Sequence, residues 1–197
     1  MNVTAAVAEN LSAFDMSEPV HALSAGLAAN DFELFALPQR FAQERAVLDA
    51  RWKDMQREAH PDRFAAQGAA AQRIAMQWSV RINEAYQRLK DPLKRAAYLC
   101  ELHGAAIDAE RNTAMPSDFL MQQMQWRESL DDAHTLQSLE ALQKDVSQAH
   151  RESLQNCATL IDQLQQFELA AQQVRRLMFI ERFMHDIDTK MDALDAA

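Results

Sequence analysis

The residues of this sequence best placed to do chemistry are His60, Pro61 and Asp62, a consecutive trio between two stretches of amphipathic helical pattern. An imidazole and a carboxylate on either side of a proline make a short polar loop with a stiff backbone. The Pro61 ring locks one dihedral, while His60 and Asp62 offer directional hydrogen bonds and charge. That is recognition chemistry rather than bond-breaking chemistry. By composition, a given tripeptide of this kind arises in about one chain in a hundred of this length. Taken alone, an ordinary proline-containing interhelical turn is therefore an equal reading.

The arrangements that enzymes need are missing. No serine lies in a G-x-S-x-G context, and neither H-E-x-x-H nor C-x-x-C occurs. The three glycines, Gly26, Gly68 and Gly104, are too scattered to cradle a phosphate. Cys100 and His103 are spaced C-x-x-H, but zinc needs further ligands and none stand nearby. A buried thiol beside a helix-end histidine is the plainer reading. The carboxylates are spread along solvated helix faces instead of forming an acid–base pair. The expectation is a non-enzyme with no catalytic residues, no metal and no cofactor.

The elements that must hold the trio are helices. Glycine and proline together number eight in 197 residues, about a third of average usage. A chain so short of turn formers does not build a sandwich, barrel or Rossmann sheet. Phe41, Leu48, Trp52, Met55 and Ala59 fall on one face of a helix over about 41–59, which His60-Pro61 ends. Ala75, Trp78, Ile82, Ala85, Tyr86 and Leu89 make the buried stripe of a second helix over about 70–90. Asp91-Pro92 stops that helix, Pro92 opens a shorter one over 93–102, and Gly104 caps it. Residues 105–116 read as linker. From Ser117 to Ala197 there is no glycine or proline, so two or three long antiparallel helices follow, with breaks near 133–135 and 165–167. Residues 1–30 read as a flexible extension, with a helical turn or two around Val3–Leu11.

Charge divides the chain similarly. The net charge of −9 is distributed as −3 over residues 1–30, +1 over 31–114 and −7 over 115–197. An acidic C-terminal part argues against a nucleic-acid partner. No apolar run approaches the length of a membrane span. Two cysteines and a first 30 residues without Lys or Arg match neither a disulfide framework nor a signal or transit peptide. A cytoplasmic location is expected.

The surroundings of the trio decide between its readings. Arg51, Lys53 and Arg57 precede it, Arg63 and Phe64 follow, and the next helix carries Ile82-Asn83-Glu84-Ala85-Tyr86, Leu89, Asp91-Pro92 and Arg95. This constellation resembles the J-domain of co-chaperones that activate the ATPase of DnaK-class heat-shock chaperones. Asp31-Phe32-Glu33-Leu34-Phe35-Ala36-Leu37-Pro38, Pro92 through Leu99 and Leu102-His103-Gly104 narrow the likeness to the HscB family of iron–sulfur co-chaperones. In the tail, Phe119 through Met124, Arg127-Glu128 and Leu130-Asp131 are also similar to that family. The resemblance covers about residues 31–197. It departs from the pattern in three ways. Ala59 stands where J-domains usually carry Tyr; the Cys-x-x-Cys pairs of some eukaryotic relatives are missing, which marks a bacterial type; and residues 1–30 have no counterpart in compact members.

The resemblance implies an all-α, L-shaped protein with a J-domain helical hairpin at 31–104 and a three-helix bundle at 117–197. It implies a co-chaperone that stimulates an HscA/DnaK-type chaperone and brings it the IscU-type iron–sulfur scaffold. His60, Pro61 and Asp62, with Arg51, Lys53, Arg57 and Arg63, would meet the chaperone. Leu120, Met121, Met124, Gln125, Glu128 and Asp132, with Phe179, would meet the scaffold. By spacing alone, Leu120, Met124 and Phe179 are equally well read as core residues. Two other functions stay open at this point: a general J-domain co-chaperone, and a helical interaction protein whose J-like part is degenerate.

Overall fold

The computed structural model describes residues 29–107 and 115–196. All but the last two residues of the expected extension, and the middle of the expected linker, lie outside these. All regular structure among the described residues is helical, and no helix of theirs is long and apolar enough to cross a membrane. The chain divides into two compact units at Asp91/Pro92.

In the first unit, α1 (Asp31–Leu34) opens on a capping box: the Asn30 side-chain Oδ1 accepts from the Glu33 backbone amide and the Glu33 carboxylate accepts from the Asn30 backbone amide, both at 3.0 Å. Phe32 and Phe35 are buried. Asp31 is fully buried as well, and its two carboxylate oxygens meet Arg81 at 2.7 Å and Arg88 at 2.6 Å. A buried carboxylate is tolerable only when paired. Both arginines sit on α3 (Ala69–Lys90), so this ion cluster fixes α1 against that helix.

The hairpin proper is α2 (Arg45–Glu58) against α3. Leu48 from one side and Ile82 and Leu89 from the other are fully buried. Trp52 stacks on Tyr86 with ring centroids 4.6 Å apart, and its indole donates to Asn83 Oδ1 at 2.9 Å. The Tyr86 hydroxyl donates to Asp49 at 2.9 Å. Burial and then that donated bond push the Tyr86 phenol up from its usual range. Near the loop end, Gln56 donates to the Ser79 carbonyl and the Ser79 hydroxyl to the Ala59 carbonyl, each at 3.1 Å. These bonds set the point from which the chain enters the turn.

Helix α2 starts at Arg45, later than the sequence pattern implies, although Phe41 is still buried. The physical reason is Gln43: its side-chain amide donates to the carbonyls of Pro38 and Arg40 at 2.8 Å each. The segment before α2 is thereby held as a turn. All six residues of the expected α3 stripe are buried.

In the second unit, α4 (Pro92–Leu102) ends with the Ala105 amide bonded to the Cys100 carbonyl and the Gly104 amide to the Glu101 carbonyl. Gly104, at φ 80°, takes the left-handed position this closure requires. Helix α5 (Ser117–Asp132) precedes a hairpin of α6 (Leu136–Ala158) and α7 (Phe167–Asp195). A π-helical turn, Thr159–Gln163, joins the hairpin. Phe119 and Trp126 of α5 pack with Leu142, Val146 and Ala149 of α6 and with Ile180, Phe183 and Ile187 of α7. Lys190 donates to the Leu130 carbonyl and, at 3.2 Å, to that of Asp131, so α7 supplies the cap at the end of α5.

The sequence reading grouped α4 with the J-like hairpin, whereas the compact units place it with the bundle. Ala96, Leu99 and Cys100 are fully buried on a helix that packs against α7. A connection that looks sequential thus belongs to the bundle core. Cys100 and Cys157 are both buried free thiols. Burial, then the nearby charges of Glu101 and Glu168, push Cys100 up to about 11; burial pushes Cys157 up to about 12. At pH 8 about one Cys100 in a thousand is then thiolate, the reactive form. Neither thiol is expected to react with a thiol-specific disulfide reagent at that pH until guanidinium unfolds the chain. Because both values are raised by folding, stability they contribute below about pH 9 is lost as pH climbs towards 11.

Candidate functional site

Proline dictates the geometry of the polar loop. His60 takes φ −64° and ψ 126°, the extended conformation forced on a residue before proline. It is also the N-cap of a 3-10 segment, Pro61–Gln67, where the sequence pattern indicated only loop. Its Nδ1 accepts from the Asp62 amide at 3.3 Å, and its carbonyl accepts from the Arg63 amide at 3.0 Å. With Nδ1 accepting, a neutral imidazole carries its proton on Nε2, leaving that atom as a donor. The His60 and Asp62 side chains, 3.6 Å apart, are 58% and 89% exposed. The segment closes at Gly68, whose φ of 92° is a left-handed conformation that side chains disfavour.

The basic residues divide into two kinds. Lys53, Arg57 and Arg63 are exposed on the loop side of α2 and just beyond it. Arg57 pairs with Asp54 at 3.3 Å, so part of that charge is offset within the helix. Arg51 is turned inward. Its guanidinium donates to the carbonyls of Phe35 and Ala36, 2.5 Å from each. Ala36 stands at φ 49°, a left-handed turn made without glycine. The structure thus assigns Arg51 the task of closing the end of α1 and does not bring it to the face that carries Lys53.

On the bundle, α5 presents Leu120, Met121 and Met124 outward at 44%, 63% and 71% exposure, while Phe119 and Trp126 on the opposite side are buried. Gln125, Glu128 and Asp132 are exposed on the same outer side. Three large apolar side chains close together on a helix that already buries its own apolar stripe call for a partner. Phe179 is half-buried and has two environments. It meets Phe119 edge-on at 5.7 Å and lies parallel to Phe183 at 6.0 Å. Its ring also has the Arg127 guanidinium over it, 5.6 Å from the centroid. It is therefore joined to the core and to the surface at once.

Between α5 and α6 runs an open groove of about 650 Å³. Gln125 and Asp132 line it from α5, Ser138 and Asp145 from α6, and Trp126 and Leu142 form its floor. The Trp126 indole donates to Asp145 at 2.7 Å. Asp145 was absent from the sequence-derived set, because its membership depends on how two helices face each other. At the C-x-x-H pair, the His103 ring stacks on Phe167 at 3.7 Å and its Nδ1 is bonded to the Leu99 carbonyl. No cluster that could hold a metal ion occurs among the described residues.

Residues 115–188 match the family model described as the HSCB C-terminal oligomerisation domain. The chain is 48% identical over 167 residues to a co-chaperone protein HscB homolog of Burkholderia multivorans, covering 83% of this chain and 95% of that one. The chain belongs to the HscB co-chaperone family. A homolog in Paraburkholderia phymatum is 47% identical over 174 residues, 87% of this chain and 99% of that protein. Among solved structures, HscB from Vibrio cholerae superimposes with a TM-score of 0.72 at 34% identity, covering 84% of this chain and 99% of that one. Human HscB gives 0.78 at 26%, covering 83% and 82%. In this chain, Ala59 in place of the usual Tyr is buried, and its carbonyl accepts from the Ser79 hydroxyl. The loop entrance is thus tied down without an aromatic ring.

Proposed function

We propose that this HscB-family protein stimulates ATP hydrolysis by an HscA/DnaK-type chaperone through the His60 loop and delivers an IscU-type iron–sulfur scaffold on α5. The observation that carries the reading is the presentation of two surfaces of different chemistry on separate compact units. One is a stiff turn that exposes His60 and Asp62 on either side of half-buried Pro61, flanked by Lys53, Arg57 and Arg63. The other is the exposed apolar set of Leu120, Met121 and Met124 bordered by Gln125, Glu128, Asp132 and Phe179.

Mechanistically, Asp62 offers an anionic acceptor and His60 a donor in a loop whose backbone is set before contact, so little ordering is lost on docking. Lys53, Arg57 and Arg63 attract an acidic surface and act chiefly on association rate and orientation. Docking at the chaperone releases a restraint on its ATP hydrolysis. The scaffold, held on the other unit, is thereby presented when hydrolysis occurs. The decisive experiment measures ATPase rates of an HscA-type and a DnaK-type chaperone with this protein, with and without scaffold. Synergy confined to the HscA-type chaperone with scaffold is the expected result. Equal stimulation of both, indifferent to scaffold, would establish a general J-protein instead.

Arg51 offers a separate check. Arg51→Ala removes two hydrogen bonds from a charged donor to backbone carbonyls, at a cost of about 1–3 kcal/mol in stability. The expected outcome is a lower melting temperature with chaperone stimulation largely kept below the transition. Loss of stimulation at unchanged stability would return Arg51 to the docking face.

A further inference from the structure

We propose that the groove between α5 and α6 is a second contact of the scaffold face, and that its occupant is a lysine or arginine side chain of the scaffold. This rests on the reading of α5 as the scaffold surface and adds Asp145, Ser138 and Trp126 to it. Three features converge. The groove is continuous with the outer face of α5, because Gln125 and Asp132 belong to both. Its volume of about 650 Å³ gives ample room for one long side chain. Its two ends of the recognition problem differ in chemistry: Trp126 and Leu142 are apolar walls for an alkyl stem, and Asp132 and Asp145 are carboxylates for its charged head.

Charge fixes the sign of the occupant. Among the described residues no Lys or Arg forms an ion pair with Asp132 or Asp145. Asp145 is held in place by the Trp126 indole, which donates to Oδ2 at 2.7 Å, so one carboxylate oxygen is oriented in advance and the other remains for a ligand. The surrounding stretch, 115–197, carries a net −7. An anion or a neutral apolar group entering the groove would leave both carboxylates uncompensated while removing water from them, whereas a cation compensates them. Two walls of one groove therefore select a long, positively charged side chain.

The test uses the full chain and a purified IscU-type scaffold in calorimetric titration at several salt concentrations. Asp145→Asn keeps the shape and the acceptor for Trp126 but removes the charge. Alone it is expected to weaken binding about 3–10-fold, as does Asp132→Asn, and each should flatten the salt dependence. Replacing single scaffold lysines or arginines by Glu should identify one whose loss is rescued by Asp145→Lys. An unchanged affinity and salt dependence for Asp145→Asn, with Met121→Ser/Met124→Ser still weakening the complex, would overturn the groove proposal and leave the scaffold reading standing. No measurable binding of the scaffold to the unaltered protein would instead overturn the scaffold reading, and the groove proposal with it. Circular dichroism of each variant distinguishes lost contact from lost fold.

Discussion

His60→Gln is expected to reduce stimulation of the chaperone ATPase to the basal rate while leaving the helical circular dichroism unchanged. The side chain is more than half exposed, and its internal contacts are both with Asp62: the long bond from the Asp62 amide and the carboxylate 3.6 Å away. Losing an N-cap contact of that kind costs the fold about 1 kcal/mol. Losing a directional donor at a rigid docking loop costs far more, because the partner's group is left desolvated and unpaired. A charged hydrogen-bonded contact removed from one side of an interface is worth about 2–5 kcal/mol, a fall of at least tenfold in coupling. The same reasoning applies to Asp62→Asn, which keeps the shape of the turn and deletes its charge. Single-turnover ATP hydrolysis by an HscA-type chaperone, with and without each variant, measures both. Stimulation that survived His60→Gln would remove the loop from the mechanism.

The second large effect is expected on the bundle. Met121→Ser with Met124→Ser should weaken scaffold binding roughly 10–100-fold, about 1.5–3 kcal/mol, with basal stimulation of the chaperone intact. Both side chains are mostly exposed and are not members of the buried aromatic cluster, so their polar replacement leaves the fold within about 0.5 kcal/mol. At a docked interface the same thioethers lose their water contact. Burial of one such side chain is worth roughly 1.5–3 kcal/mol gross, of which association costs leave only a part. Methionine adapts its shape to an irregular partner, and serine cannot replace that contact. Titration calorimetry reads the affinity and the ATPase assay reads the other unit. Loss of both activities would show a collapsed bundle rather than a lost contact.

Much of this architecture was legible in the sequence because it is local. Proline and glycine are so few that nearly every one marks a joint, and α3 buries the six residues that its spacing indicated. The break between α5 and α6 falls at 133–135, where Thr135 forms a capping box with Ser138. That signal lies within four consecutive residues, as does the His60 turn. The start of α2 was less legible, since the Gln43 side chain competes for backbone carbonyls in a way that helical periodicity does not encode.

The sequence by itself determined the helices, the faces they bury, and the stiff polar loop, because a 3.6-residue period and the dihedral limits of proline act over a few residues. Tertiary structure alone decided what each face meets. It turned Arg51 from the basic surface to the end of α1, placed α4 in the bundle, and gave Phe179 a core side and a surface side. It also brought Asp145 across from α6 to face Asp132 of α5 over one groove. Periodicity tells a helix which side to hide. Which residue of another helix comes to lie against it depends on packing between segments far apart in the chain, and no local pattern carries that information.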